Sequence, residues 1–275
     1  MQTAPVGIVV ALAASLAGAQ VLQFGEVQQM APAPYDTRVP YGSHPLQFVD
    51  LRVPPGPGPH PVVFLIHGGC WLSSINLDNI SMFAAALTKA GVATASVEYR
   101  RVGDDGGGAP GTFDDIEAAF DALPRWAGPH RLDLGRAAIA GHSAGGHLAL
   151  WLGARRTSKV RGVFALAPVA DLESASGRVC GTAISRLLGS PPDYARYSPA
   201  DMLPLRVPQW LLEGDADTIV PASFGADYER KARAAGDRVV RQVFPGAGHF
   251  ELIVPGKAAA DAITQLVADT VRRAR

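Results

Sequence analysis

The chain has 275 residues, nearly half of them apolar and only 18% charged, which suits one domain built around a large dry core. Its 25 basic and 25 acidic residues cancel, so charge gives no reason to expect nucleic acid or an anionic membrane surface as partner. Thirty glycines and 22 prolines suit short turns between packed elements and count against a helical bundle.

From Val6 to Ala19 the sequence is almost purely apolar and small, and Ala17-Gly18-Ala19 has the pattern of a cleavage site. Residues 1–19 therefore resemble a secretory signal, although the MQTAP start carries no Lys or Arg. The run is too short for stable membrane insertion, and the reading favours export over a cytoplasmic location. Residues 20–40, with the Pro/Ala-rich stretch Met30 to Pro34, read as a linker, and 41–275 as the folded body.

In the body, Leu46 to Val53 alternates as an edge strand does. The prolines and glycines from Pro54 to Pro61 form a turn that no helix tolerates. Val62 to Ile66 is continuously apolar and rich in β-branched residues, hence a strand buried on both faces, and Val92 to Val97 reads as another buried strand, with a helical pattern from Met82 to Ala90 between them. A further helix starts near Thr112, whose hydroxyl is expected to cap a first turn rich in Asp114, Asp115 and Glu117. Ala137 to Ala140 is a short strand followed by a small-residue helix to Arg155. Strands at Val160–Ala167, Val207–Leu212 and Val239–Phe244 follow, with helices at Phe224–Ala235 and Ala258–Arg273. Strands alternating with helices predict an α/β fold, a mostly parallel twisted sheet with helices on both faces. Residues 171–205 break the rhythm and read as a cap-like insertion over the sheet edge. Cys70 and Cys180 lie in no metal-binding pattern and no disulfide framework, so an unbridged pair is expected.

Four segments carry chemistry. Gly141-His142-Ser143-Ala144-Gly145 falls between a strand and a helix, where paired glycines permit a sharp turn that exposes the Ser143 hydroxyl above the sheet. His67-Gly68-Gly69-Cys70-Trp71 follows the strand ending at Ile66. With Ala144, amides of Gly68 and Gly69 are expected to form an oxyanion hole, and His67 to fix the loop. Trp71 either lines the substrate pocket or walls the core. In Glu213 to Pro221 two aspartates compete for an acid's role. Asp217, farther past the strand, is favoured, while Asp215 suits hydrogen bonds to the turn's own amides. Of seven histidines, His249 alone follows a late strand on a glycine-flanked loop, beside Phe250, a second pocket candidate. The flanking histidines His142 and His147 are expected to aim away from the hydroxyl. The order Ser143, Asp217, His249 is the one a nucleophile elbow requires.

From about Tyr41 to Val271 the chain resembles the esterase/lipase branch of the α/β-hydrolase superfamily, close to its feruloyl-esterase-like and kynurenine-formamidase-like groups. The resemblance rests on HGGCW at His67–Trp71, GHSAGGHL at Gly141–Leu148, GDADTIVP at Gly214–Pro221 and PGAGHF at Pro245–Phe250, with support from Tyr99-Arg100-Arg101 and Gly106 to Pro110. It implies an α/β-hydrolase fold and supports Asp217 as the acid. Cys70 departs from the usual glycine of the loop in side chain only. The implied activity is hydrolysis of a small-molecule ester, with an arylformamidase acting on an amide as the alternative, a peptidase as a third reading and a catalytically inactive binding protein as a fourth. No metal or organic cofactor is expected, and the oligomeric state is left open.

Overall fold

Residues 21–273 are described by the computed structural model; the leader expectation falls outside them. The central strands are buried on both faces as their apolar runs require, and successive side chains pack on opposite faces. Val62, Phe64 and Ile66 of β3 (His60–Ile66) pack on one face of the sheet, and Val63 and Leu65 on the other. The remaining strands are β1 (Thr37–Pro40), β2 (Phe48–Arg52), β4 (Ala93–Val97), β5 (Leu132–His142), β6 (Val163–Leu166), β7 (Gln209–Gly214) and β8 (Val239–Phe244). They form one sheet in the order β1-β2-β4-β3-β5-β6-β7-β8. The β1–β2 and β2–β4 pairings are antiparallel, so β2 runs against the other seven strands, and every pairing from β4 through β3 and on to β8 is parallel.

Helices α1 (Phe24–Gln28), α2 (Ser81–Lys89) and α9 (Ala258–Arg272) cover one face, burying Val27, Phe83, Leu87, Ile263 and Val267. Helices α3 (Gly111–Ala127), α4 (Ala144–Arg155) and α8 (Ala222–Ala234) cover the other with Phe113, Leu148 and Tyr228. None of the helices among the described residues is long and apolar enough to cross a membrane.

Several expectations need correction. The 20–40 linker holds α1 and β1, and β1 displaces β2 from the sheet edge. Alternation along β2 cannot reveal this, because a neighbouring strand adds backbone hydrogen bonds and leaves the side-chain pattern unchanged. Thr112 does not cap α3. That helix starts after Pro110, and the Thr112 hydroxyl accepts from Gly108 N at 3.0 Å and donates to Arg100 O. Asp115 is likewise spent on Arg100, whose Nε and Nη2 donate to it at 2.8 and 2.7 Å.

The 171–205 insertion carries α5 (Leu172–Ala175), α6 (Ala183–Leu188) and α7 (Tyr194–Tyr197) and connects the adjacent strands β6 and β7, neither of which is an edge strand. It packs on α4. Trp151 Nε1 donates to Arg196 O at 3.0 Å, His147 Nε2 to Tyr197 O at 2.8 Å, and Leu172, Ile184 and Leu187 join the core.

Cys70 and Cys180 are bonded to each other, 110 residues apart in sequence. Their separation hid this, because two distant cysteines carry no local signal of approach. A loop this long is worth about 4–5 kcal/mol on the chain-entropy account. The variant Cys70→Ser/Cys180→Ser is therefore expected to lose a few kcal/mol in urea unfolding, and added dithiothreitol to lower the wild-type midpoint but not the variant's. Equal wild-type midpoints with and without reductant would contradict the assignment.

Candidate active site

β5 runs into Ser143, and α4 begins at the next residue. The turn is tight enough to force Ser143 to φ 57° and ψ −120°, a conformation that costs a residue with a Cβ roughly 1–3 kcal/mol. Side chains cannot be fitted on either side of it. A Cβ on Gly141 would come 2.1 Å from Gly145 O, and one on Gly145 would come 2.2 Å from Ile66 O. The glycines thus let the helix start sit directly on the strand ends and lift Ser143 above them. Ser143 N donates to Leu166 O at 2.8 Å, fixing the turn to β6. The Ser143 hydroxyl makes no hydrogen bond among the described residues.

The loop after β3 meets this turn. A Cβ on Gly68 would lie 3.1 Å from Ser143 Cβ and 2.8 Å from His142 O, so only a residue without one brings its backbone so near the hydroxyl. Gly69, Cys70 and Trp71 follow at φ 104°, 52° and 56°. Two consecutive residues with side chains in the left-handed region demand strong restraint, and three contacts supply it. Cys70 is bonded to Cys180, Trp71 Nε1 donates to His147 Nδ1 at 3.2 Å, and the His67 ring stacks on Tyr99 at 4.4 Å while its nitrogens lie 2.8 Å from Gly68 O and 3.1 Å from Glu98 Oε1. Burial opposes ionisation of Glu98, but contacts with His67 and Arg101 and the Leu77 amide outweigh it and hold the carboxyl below its usual range. The amides of Gly68, Gly69 and Ala144 donate no hydrogen bond among the described residues.

Asp217 and His249 sit on the loops after β7 and β8. Both are buried, and His249 Nδ1 donates to Asp217 Oδ2 at 2.6 Å. Asp217 Oδ1 accepts from Ile219 N and Val220 N, each at 2.8 Å, so the carboxylate is held from both sides. Asp215 instead accepts from Gly246 N at 2.6 Å. An imidazole tied at Nδ1 in this way keeps its lone pair at Nε2. Just before this loop, burial pushes the Glu213 carboxyl up to about 7 against the opposing pull of Arg241, which donates to it at 2.6 Å.

Ser143 and His249 line the same cavity of about 310 Å³, together with Gly69, Leu72, Ile75, Ile219 and Phe250. Phe250 therefore borders the cavity. Trp71 does not. It is fully buried, edge-on to the His147 ring at 5.3 Å, and walls the core because its indole N–H needs the histidine as partner. His147 is held down to about 4 by burial, and so it serves Trp71 as a neutral acceptor.

His142 has a supporting place beside the site. Its ring centre lies 4.4 Å from that of His249, and its Nε2 donates to His249 O at 3.0 Å, so it steadies the histidine loop from beneath. Burial first, and then the neighbouring His249, lower its pKa well below the usual value and keep it neutral. The adjacency of His142 to Ser143 was the only signal for this role. Phe24, Leu72, Ile75 and Ile219 carried none, because each is an unremarkable apolar residue until the fold gathers them.

A mostly parallel sheet whose fifth strand turns through a strained serine into a helix defines an α/β-hydrolase. Residues 49–231 match BD-FAE, and the chain belongs to this family, an α/β-hydrolase-type esterase domain. The chain is also similar to solved structures. One is a truncated carbohydrate esterase from gut microbiota, at TM-score 0.75 and 21% identity over 88% of this chain and 98% of that one. Another is esterase B from Lactobacillus rhamnosis, at TM-score 0.74 and 20% identity over 86% and 85%. A third is the esterase LipW from Mycobacterium marinum, at TM-score 0.72 and 22% identity over 86% and 82%. At these identities the likeness is one of fold. No curated protein matches the chain.

Proposed function

We propose that the protein is a serine esterase that cleaves small carboxylic esters through an acyl-enzyme. The observation that carries this reading is the buried 2.6 Å contact of His249 Nδ1 with Asp217, opening onto the same cavity as the strained Ser143. In it, His249 Nε2 takes the hydroxyl proton as Ser143 Oγ bonds to the ester carbonyl carbon. The carbonyl oxygen gains the negative charge and is met by the unspent amides of Gly68, Gly69 and Ala144. The imidazolium then protonates the departing alcohol as the carbon–oxygen bond breaks. Water repeats the sequence on the acyl-enzyme, with His249 again as base, and frees the acid and Ser143. Asp217 accepts from Nδ1 and holds the ring in one tautomer.

The cavity is lined mainly by aliphatic and aromatic side chains, which suits a compact apolar substituent on the ester. Nothing in the site or among the similar proteins favours the formamidase reading.

A fluorophosphonate probe tests the reading, because it bonds covalently only to an activated hydroxyl. One probe per chain is expected on the peptide containing Ser143, with labelling lost in His249→Ala. Labelling elsewhere, or none, would sink the assignment. On the same preparation kcat/KM for a short acyl ester is expected to exceed that for N-formylkynurenine.

A further inference from the structure

The cavity over Ser143 is not closed by the hydrolase core alone. One wall is Phe24, which belongs to α1, in the segment the sequence presents as a linker. Its ring lies 5.8 Å from the Phe250 ring, which lies 5.1 Å from that of His249. The segment is tied to the same loop by a buried carboxylate, since Glu251 Oε1 accepts from Leu22 N while its Oε2 accepts from Gly248 N at 3.1 Å. Val27 is buried in the core, and farther along Ala33 N donates to Ser81 Oγ at 3.0 Å and Arg52 donates to Ala33 O and Pro34 O. The arm is thus seated on the body at successive points rather than draped over it.

Beyond Phe24 lies a second cavity of about 230 Å³ that also has Phe24, Ser74, Ile75 and Asn79 in its lining. Its character differs, for Gln28, Asn76 and Asp78 line it and not the first, whereas Ser74 and Asn79 line both. Phe24 thus stands, with Ser74, Ile75 and Asn79, between the chamber on Ser143 and a more polar cleft, and its ring is the largest of the four side chains.

Resting on the esterase reading above, we infer that the N-terminal arm is a specificity element and that Phe24 sets the length of the apolar group the site accepts. A short chain fits between Leu72, Ile75, Ile219 and Phe250. A longer one meets the Phe24 ring, and passing it requires entry into the polar cleft. Removing the ring joins the two spaces and lifts that limit. The arm acts through the position of the ring, so loosening its anchor has the same effect by another route.

The test compares kcat/KM for p-nitrophenyl acetate and p-nitrophenyl octanoate in the full chain. The octanoate-to-acetate ratio is expected to rise about tenfold or more in Phe24→Ala, the scale on which pocket size discriminates chain length, and less in Phe24→Leu. Leu22→Pro lacks the N–H that Glu251 accepts and does not line the chamber, and it is expected to move the ratio the same way. A ratio unchanged in Phe24→Leu and Leu22→Pro, with wild-type unfolding midpoints, overturns the inference and leaves the esterase reading standing. Absence of turnover of both esters by wild-type protein, without fluorophosphonate labelling, instead removes the esterase reading on which it rests.

Discussion

Replacing Ser143 with alanine is expected to lower kcat/KM for p-nitrophenyl acetate by on the order of 10⁴–10⁶-fold, leaving only what binding and the loop amides supply. The loss comes from the bond-forming atom itself. Without Oγ, water must attack directly, and His249 has no hydroxyl to deprotonate. The fold should not suffer, because the Ser143 hydroxyl makes no hydrogen bond among the described residues, and alanine bears the same φ penalty as serine. Ser143→Gly sharpens the comparison. It is expected to be equally inactive yet more stable than wild type by about 1 kcal/mol, because glycine relieves the backbone strain at this turn. Unfolding midpoints beside initial rates check both points. Turnover within tenfold of wild type in either variant would show that another group attacks the ester.

Asp217→Asn is expected to cost on the order of 10⁴ in kcat. The reason lies in where the three donors around this side chain point. Ile219 N and Val220 N both aim at Oδ1, so an asparagine keeps its carbonyl oxygen there and turns its NH₂ toward His249. An NH₂ opposite Nδ1 needs a lone pair on that nitrogen. The ring proton is thereby moved to Nε2, the atom that must be free to take the proton from Ser143. Asp215→Asn is the control. Its carboxylate accepts from the exposed Gly246 amide rather than from a histidine, and a loss of no more than a few-fold is expected. A larger loss in Asp215→Asn than in Asp217→Asn would reverse the assignment of the acid.

Glycines and strand ends made much of the site legible before any coordinates. A serine between glycines at a strand-to-helix junction announces a turn that other residues cannot make, and the crowding at Gly141 and Gly145 is the steric form of that signal. The strands that precede His67, Ser143, Asp217 and His249 are apolar enough to be recognised singly. In a parallel sheet their ends gather at one edge, so naming the strands nearly names the cluster.

What stayed hidden depends on contacts between distant, chemically ordinary residues. The alternation of β2 carries no mark of the extra strand beside it, and Cys70 carries none of Cys180. Trp71 reads equally as pocket or core until His147 appears as the partner for its indole N–H. His142 has no legible partner until the fold sets the carbonyl of His249 within reach of its ring. Above all, Phe24 sits in a stretch whose composition suggests a tether, and only the folded chain lays that stretch along the cavity mouth. Local sequence determined the elements, the elbow and the loops that bear chemistry, because backbone geometry and periodic burial are short-range properties of the chain. The walls of the chamber, the disulfide and the supports behind the histidine were decided by tertiary structure alone, because side-chain complementarity exists only once remote segments have met.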